Sequence, residues 1–231
     1  MQVYVLDDEK SAAQFAASRI AANARNSVAE RGSFSVALSG GTSPWPMLSF
    51  LAGEDMPWAR VHIFQVDERV VPSDDPKWTF GKLRSVLLSR VPIPEENIHP
   101  MPVHMDDLQT AAESYERTLA NVLGSPPVLD LVHLGLGADG HTGSLVPGSP
   151  EVTNTLPEVM VSPVYEGSRR ITLTYSILSR ARTILWFVLG ETKASALARL
   201  IAGDSAIPGG RIERSHAIVV ADKAAAHLLK E

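Results

Sequence analysis

The 231-residue sequence contains no cysteine. Disulfide bonds, thiolate nucleophiles and zinc sites built on thiolates are therefore excluded by composition. No apolar run is long enough to span a bilayer, so we expect no membrane partner. The first residues lack a basic region followed by an apolar core and a cleavage site, which predicts a cytoplasmic protein.

An excess of basic charge is also missing. The chain has 21 Lys and Arg against 26 Asp and Glu, a formal net charge of −5. This balance provides no sequence-wide positive field for nucleic acid, so any anion must be held by a local group of residues. Apolar residues make up 45% and charged residues 20%, as in ordinary globular proteins, and pattern-based fold prediction is justified.

Apolar runs of strand length alternate with longer segments of helical periodicity. This alternation predicts βα units around a parallel sheet. Because the runs contain few alternating polar residues, helices should cover both faces of the sheet. The predicted strands are 2–6, 34–38, 61–66, 129–135, 183–189 and 216–221, and the predicted helices are 10–30, 44–53, 78–90, 106–123, 191–202 and 222–230.

The segment 147–182 departs from this alternation. Val159–Val161 and 170–174 predict two extra strands, for which antiparallel pairing is an option, in a small lobe over the sheet. No repeat or flexible linker divides the chain. We therefore predict one α/β domain over residues 1–231, with an open, mostly parallel, twisted sheet of Rossmann-like type and an elaborated second half.

Several predicted helices have recognisable beginnings. Asp106 and Asp222 are candidate N-caps, since an aspartate side chain can accept backbone N–H groups of the first helical turn. Pro44 or Pro46 suits the first turn of the second helix, where a missing N–H costs nothing.

The second predicted strand ends in two glycines and three hydroxyl residues directly before a helix. These residues are Ser39, Gly40, Gly41, Thr42 and Ser43. Glycines let backbone approach a ligand, and free N–H groups with the helix dipole favour an anion such as phosphate. The alternative is a tight turn capped by Thr42 or Ser43. A Gly-Lys-Ser/Thr sequence does not follow, so this is not a Walker loop.

Three ionisable residues, Asp67, Glu68 and Arg69, follow the third predicted strand. Successive side chains in extended backbone point to opposite faces, so Asp67 and Arg69 should share a face from which Glu68 turns away. An acid and a guanidinium on one face would form a polar anchor. A surface salt bridge at a strand end is the alternative.

The fourth predicted strand ends in Gly-Leu-Gly-Ala-Asp-Gly, residues 135–140, which spells the dinucleotide-binding fingerprint. An oxidoreductase is therefore one hypothesis. That fingerprint normally opens a long helix in the first βα unit, whereas here Pro147 and Pro150 follow soon after it. We do not favour a nicotinamide cofactor for this reason.

Asp139 and His141 flank a glycine at the same strand end. A carboxylate can orient an imidazole and fix the tautomer that leaves one nitrogen free to exchange protons with water and a leaving group. A structural histidine in a turn is the alternative. Because open α/β sheets bind ligands at the carboxyl ends of their strands, the three loops should meet. Arg170 and Lys193 are candidate cations for a phosphate.

Other catalytic arrangements have little support. The Gly-x-Ser-x-Gly nucleophile elbow and the His-Glu-x-x-His zinc motif are both missing. The remaining histidines have no metal-ligand spacing, so we assign them structural or surface roles and predict no metal. They are His62, His99, His104, His133, His216 and His227.

Taken in order, these motifs resemble the 6-phosphogluconolactonases, relatives of glucosamine-6-phosphate isomerase/deaminase, over nearly the whole chain. Each motif alone is weak, but together they are specific. The matching segments are 39–44, 67–69 with Val71-Pro72, 135–137, 139–142 with Ser144-Leu145, 170–174, Gly190 with Lys193, and Ala221-Asp222 with 224–226.

The resemblance implies hydrolysis of 6-phospho-D-glucono-1,5-lactone to 6-phosphogluconate, in the oxidative pentose phosphate pathway. It implies no metal and no organic cofactor, and we expect a monomer or a weak homodimer. His141 would be the general base and Asp139 its orienting acid. Arg69 would stabilise the oxyanion or bind lactone oxygens, and Asp67 would hold sugar hydroxyls or Arg69 itself. Loop 39–43, Arg170 and Lys193 would grip the phosphate.

One departure from the family pattern affects the expected substrate preference. Trp78 and Thr79 stand where the family usually has Ser-Asn, so the wall of the pocket should be packed differently. Two alternatives share the resemblance, an isomerase or deaminase with Asp67 as base, and a non-catalytic sugar-phosphate sensor. The hydrolase is preferred because Arg69 follows the acidic pair, residues 142–148 hold no carboxylate, and the acid–imidazole pair is retained.

Overall fold

The structure is a computed structural model that describes residues 1–148 and 157–229. These ranges contain ten strands and seven α-helices. The strands are β1 Gln2–Leu6, β2 Phe34–Leu38, β3 Val61–Gln65, β4 Asp67–Arg69, β5 Ile98–His99, β6 Leu131–Leu134, β7 Val159–Val161, β8 Arg170–Leu173, β9 Thr183–Val188 and β10 Ala217–Asp222. The helices are α1 Glu9–Arg31, α2 Pro44–Leu51, α3 Thr79–Val86, α4 Leu108–Leu123, α5 Tyr175–Arg180, α6 Ala194–Ala202 and α7 Lys223–Ala226.

Seven strands form one parallel sheet in the order β1-β10-β9-β6-β2-β3-β5. From β2 the chain adds β3 and β5 on one side, and then returns to add β6, β9 and β10 on the other. The succession reverses between β2 and β6, and such a switch point opens a crevice at the carboxyl ends of the strands. The predicted open parallel sheet is confirmed.

Helices cover both faces of this sheet, because side chains of each strand alternate between two apolar cores. Val36 and Leu38 pack with α1, α2 and α3 on one face. Ala37, between them, belongs to the core that contains residues of α4, α5, α6 and α7 on the other. The strands are therefore buried on both sides, as their apolar runs predict.

A second sheet has three strands in the order β4-β8-β7, paired antiparallel. The two extra strands expected in the second half of the chain are confirmed, and β4 is a third strand of this sheet that the sequence did not predict as a separate strand. The chain changes sheets at Val66, whose N–H donates to Leu38 O at 3.1 Å while its own carbonyl accepts from Leu173 N–H at 2.8 Å. A single residue thus joins the two sheets.

One of the two predicted helix caps is wrong. Asp107, not Asp106, precedes α4, and its carboxylate accepts the backbone N–H of Thr110 at 3.1 Å. Asp106 lies one residue too early to reach the first turn. Asp222 does cap α7, accepting the N–H of Ala225 at 2.8 Å.

Several element boundaries also differ from the predictions. The predicted helix 78–90 is α-helical only to Val86 and continues as a 3₁₀ turn over Leu88–Arg90. The predicted helix 222–230 ends at Ala226, and Lys230 lies outside the described residues, as do 149–156 of the predicted lobe. Strand β5 was not predicted, because its two residues are too few to show a periodicity.

None of the helices within residues 1–148 and 157–229 has the length and apolar character needed to cross a membrane.

Candidate active site

Two adjoining cavities lie at the carboxyl ends of β9, β6, β2 and β3, four neighbouring strands of the parallel sheet. The first has a volume of about 130 Å³ and the second about 180 Å³. Both are lined by Gly40, Gly41, Gly135 and His141. The first is also lined by Ser39, Asp67, Glu68, Arg69, Thr79, Gly143, Glu166 and Arg170. The second adds Thr42, Ser43, Pro44, His133, Leu136, Gly137, Phe187, Val188, Leu189 and Lys193.

The loop after β2 is held in place by a buried histidine of β6. The N–H of Ser39 donates to His133 Nδ1 at 3.3 Å, and its hydroxyl donates to the His133 carbonyl at 2.9 Å. Burial lowers the pKa of His133 to about 4, so the ring is neutral near pH 7 and carries its proton on Nε2.

The same loop also contacts the beginning of α3. Gly40 packs against Thr79 so closely that a β-carbon at Gly40 would lie 2.7 Å from Thr79 Cγ2. The approach requires glycine.

Thr42 and Ser43 lead into α2, with Pro44 in its first turn. Ser43 occupies the N-cap position but its side chain makes no capping hydrogen bond. Neither hydroxyl has a hydrogen-bond partner in the described part of the chain, so the capped-turn alternative is not what the structure shows. Both hydroxyls are available to an anion at the beginning of this helix.

The carboxylate and imidazole predicted to work together are in contact. Asp139 Oδ1 lies 2.6 Å from His141 Nδ1 and also accepts the backbone N–H of His141 at 3.1 Å. Partial burial disfavours the charged acid, but the hydrogen bonds from His141 outweigh it and hold the pKa of Asp139 below its usual range. The ionised acid fixes Nδ1 as the donor, and Nε2 has no partner among the described residues.

The glycine-rich segment that contains this pair folds back on itself. The N–H of Gly137 donates to the His141 carbonyl at 2.8 Å, and no helix begins between residue 135 and residue 148. A dinucleotide fingerprint needs a helix directly after its glycines to receive the pyrophosphate. The turn therefore does not fit the oxidoreductase alternative.

Glu68 is a structural residue behind the site. It is 1% exposed, and its carboxylate accepts the Gln65 side chain at 2.7 Å and the N–H of Arg69 at 2.8 Å. The N–H groups of Thr79 and Phe80 donate to it at 3.0 and 2.7 Å. One buried carboxylate thus ties β4 to the beginning of α3.

All three residues of β4 line the first cavity, but Asp67 and Arg69 are partly exposed whereas Glu68 is buried with its carboxylate bonded inside the protein, in the alternation that strand geometry predicts. Asp67 accepts the hydroxyl of Ser144 at 2.6 Å. Arg69 stands directly opposite Arg170 of β8. Like charges in directly opposed strand positions repel each other, so this pair favours an anion in the cavity.

Three buried polar atoms around the two cavities have no hydrogen-bond partner within the described residues. Arg170 and Thr79, which line the first cavity, carry an unpaired Nε and an unpaired Oγ1, and His133, which lines the second, carries an unpaired Nε2. Arg170 is 3% exposed, and its Nη2 pairs with Glu166 at 3.0 Å. Buried polar groups are nearly always hydrogen-bonded, so these three side chains have hydrogen-bonding capacity that no protein group of the described residues uses.

Lys193 borders the second cavity, together with Thr42 and Ser43. Its turn is fixed by Asp222, which accepts the N–H of Gly190 at 3.0 Å. The sequence grouped Lys193 with Arg170, but the structure places them in adjoining cavities that meet at His141. The side chains predicted for the site are otherwise brought together.

Sequence reasoning missed Ser144, Tyr165 and Glu166, and it assigned His133 only a structural role. Glu166 lines the first cavity from the turn between β7 and β8, where no periodicity marks a site. The position of His133 in a strand beside β2 could have indicated contact with the loop after β2. No group of three or more His, Asp or Glu side chains in residues 1–148 and 157–229 suits a metal ion, and the absence of a cofactor stays a prediction.

The fold and the site together define a class of protein. An open α/β sheet presents an imidazole–carboxylate pair at its switch point, beside two arginines, a lysine and a glycine-rich loop. This arrangement is that of an enzyme for a small anionic substrate.

The chain belongs to the family described as glucosamine-6-phosphate isomerases/6-phosphogluconolactonase, whose sequence model matches residues 7–221. It is 40% identical to the 6-phosphogluconolactonase of Synechocystis sp. over 182 residues, 77% of this chain and 75% of that protein. It is 36% identical to the 6-phosphogluconolactonase of Mycobacterium leprae over 214 residues, 87% and 86% of the two chains. The solved structure of the Trypanosoma cruzi 6-phosphogluconolactonase superimposes with a TM-score of 0.87 at 27% identity, covering 100% of this chain and 97% of that one. The resemblance predicted from the motifs is confirmed.

Proposed function

We propose that this chain hydrolyses 6-phospho-D-glucono-1,5-lactone to 6-phosphogluconate, with His141 as the general base. The observation that carries the proposal is the 2.6 Å contact between Asp139 and His141 Nδ1, at the wall common to two cation-lined cavities. The relatives named 6-phosphogluconolactonase support the choice of substrate. The site fits that substrate because it offers an imidazole to the lactone and cations to the phosphate.

His141 acts through Nε2, since Nδ1 is engaged with Asp139. Nε2 takes a proton from water as the water oxygen attacks C1 of the lactone. The tetrahedral intermediate then collapses, the bond from C1 to the ring oxygen breaks, and the imidazolium returns the proton to that oxygen. Asp139 stabilises the imidazolium between these steps. General acid–base help of this kind contributes roughly 10²–10⁴ in rate.

Arg69 stabilises the oxyanion that forms at C1. Its side chain has no ion-pair partner in the described part of the chain, and it borders the same cavity as His141. A fixed cation aimed at developing charge lowers the barrier because it needs no reorganisation during the reaction. Asp67, held by the hydroxyl of Ser144, accepts a sugar hydroxyl.

The phosphate is held where the two cavities adjoin, by loop 39–43, whose Gly40 and Gly41 line both of them, with Arg170 on one side and Lys193 on the other. The unpaired Nε of Arg170 and the free hydroxyls of Thr42 and Ser43 provide donors that the protein leaves unused. Because the phosphate is remote from C1, its binding energy orients the lactone towards His141.

The test is acid release from freshly generated lactone, with the spontaneous rate subtracted. We expect saturable turnover that His141→Ala reduces by roughly 10²–10⁴, with product affinity and melting temperature unchanged. Arg170→Ala and Lys193→Ala should chiefly raise KM, since phosphate contacts are made in both ground and transition states. His227→Ala, on the exposed surface, is the matched control. Lactone binding without turnover would identify a sensor and overturn the proposal.

A further inference from the structure

Tyr165 lies between the His141–Asp139 pair and Arg170. Its ring meets the His141 imidazole edge to face, with centroids 5.5 Å apart and planes at 63°. Its hydroxyl lies 3.4 Å from Asp139 Oδ2, the oxygen that His141 does not use. The guanidinium carbon of Arg170 lies 5.0 Å from the ring centroid. One side chain therefore contacts the base, its orienting acid and a phosphate-binding cation.

The backbone holds Tyr165 in this place. Tyr165 and Ser168 exchange two backbone hydrogen bonds of 3.0 and 3.3 Å, closing a turn between β7 and β8. Glu166 and Gly167 form the tip with φ angles of 50° and 83°. The Glu166 carboxylate bonds to Arg170 Nη2 at 3.0 Å, so the tip is also tied to the strand that follows.

Each contact constrains a group that the reaction uses. The ring edge limits rotation of the imidazole, and the contact with Arg170 orients the guanidinium over an aromatic face. Partial burial and the charges of Asp139 and Glu166 hold the pKa of Tyr165 above its usual value, so the hydroxyl remains a donor. It can then donate to Asp139 Oδ2 while Oδ1 serves His141.

We infer that Tyr165 is a positioning residue, which aligns His141 through the ring edge and Asp139 and links that alignment to Arg170. The inference rests on the proposed function and assigns Tyr165 no contact with the reacting atoms. A phosphate bound at Arg170 would thus influence the orientation of His141 through the ring of Tyr165.

Two substitutions separate the contributions of the hydroxyl and the ring. Tyr165→Phe keeps both ring contacts, and we expect an unchanged KM with kcat lowered about two- to fivefold, as befits one hydrogen bond. Tyr165→Leu removes all three contacts, and we expect kcat to fall about tenfold or more while KM rises. Tyr4→Leu is the matched control, since Tyr4 also packs near an arginine, Arg19 at 5.8 Å, but on edge strand β1. Equal kinetics for the Phe and Leu variants would overturn the inference.

A double substitution distinguishes positioning from general structural support. In an Asp139→Asn background, Tyr165→Phe should cause no further loss of kcat, because its partner has already been replaced. Fully multiplicative losses would overturn the inference. If the Leu variant does not fold, the Phe variant and the Asp139→Asn/Tyr165→Phe double variant still test the inference. Wild-type turnover that depends on His141 but not on Tyr165 would refute this inference alone, whereas no turnover by the wild type would refute the proposed function.

Discussion

Gly137 is the residue against which the proposed catalytic pair closes, and replacing it tests the pair without removing either member. A β-carbon at Gly137 would lie 2.6 Å from Asp139 Oδ1 and would overlap Nδ1 and Cε1 of His141. Ordinary non-bonded contacts are about 3.5 Å, so the imidazole would have to move by more than about 1 Å. Gly137 has no positive φ, so the backbone itself accepts alanine.

We expect Gly137→Ala to lower kcat by about 100-fold. A displacement of about 1 Å costs roughly 10² in rate, and complete loss of acid–base help costs roughly 10²–10⁴. The expected loss corresponds to about 2.7 kcal/mol of transition-state stabilisation. The fold should tolerate the change, because the side chains of His141 and Asp139 are 28% and 42% exposed and can move into solvent.

The assay is initial-rate acid release at constant pH, with lactone generated in place and its spontaneous opening subtracted. Thermal unfolding of the same samples reports on the fold. Gly53→Ala is the matched control, because its β-carbon would meet nothing closer than the Phe50 carbonyl at 3.4 Å. A Gly137→Ala protein with wild-type kcat would refute the reasoning, since it would mean that displacing the pair does not matter to the reaction.

Three further predictions concern stability, affinity and pH. Glu68→Gln should lower the free energy of unfolding, measured by urea denaturation, by about 3 kcal/mol, since its buried carboxylate accepts four hydrogen bonds. Glu95→Gln should change it much less, because the ion pair of Glu95 with Arg84 is exposed to solvent. Glu166→Gln should lower KM about two- to fivefold, because the carboxylate competes with phosphate for Arg170, and a higher KM would contradict this. Burial lowers the pKa of His133 to about 4, so the unfolded chain binds the extra proton between that value and about 6.5. The contribution of His133 to the free energy of unfolding should therefore fall by up to about 3 kcal/mol as the pH drops through this range. In urea denaturation, the stability of His133→Asn should depend less steeply on pH than that of the wild type.

The main sheet and the meeting of its loops could be predicted because their causes are local. Buried parallel strands such as Phe34–Leu38 and Leu131–Leu134 are short apolar runs, and glycines at their ends show where the chain must turn. The topology rule for open sheets then places the loops together without knowledge of any contact. The alternation of Asp67, Glu68 and Arg69 followed from strand geometry in the same way.

The sequence predicted Arg69 and Arg170 for the site, but how the small sheet places them could not be predicted, because it depends on pairing between distant residues. The position of Arg69 opposite Arg170 is a register between segments about a hundred residues apart, and strands of three or four residues carry too little pattern to set one. Tyr165 and Glu166 reach the cavity only because that register fixes the turn between β7 and β8. The separation of Lys193 from Arg170 has the same origin, since Lys193 lies in the 3₁₀ turn that follows β9 of the main sheet, whereas Arg170 lies in β8 of the small sheet.

Each of the two sheets contributes different residues to the site, and Val66 fixes the position of one sheet relative to the other. The main sheet supplies the glycine-rich loop 39–43 and His141, whereas the small sheet supplies Arg69 and Arg170. Val66 bonds to both sheets through its own N–H and carbonyl, and a β-carbon at Gly143 would lie 3.0 Å from its side chain. A change at this junction would shift the cations relative to the base without touching either.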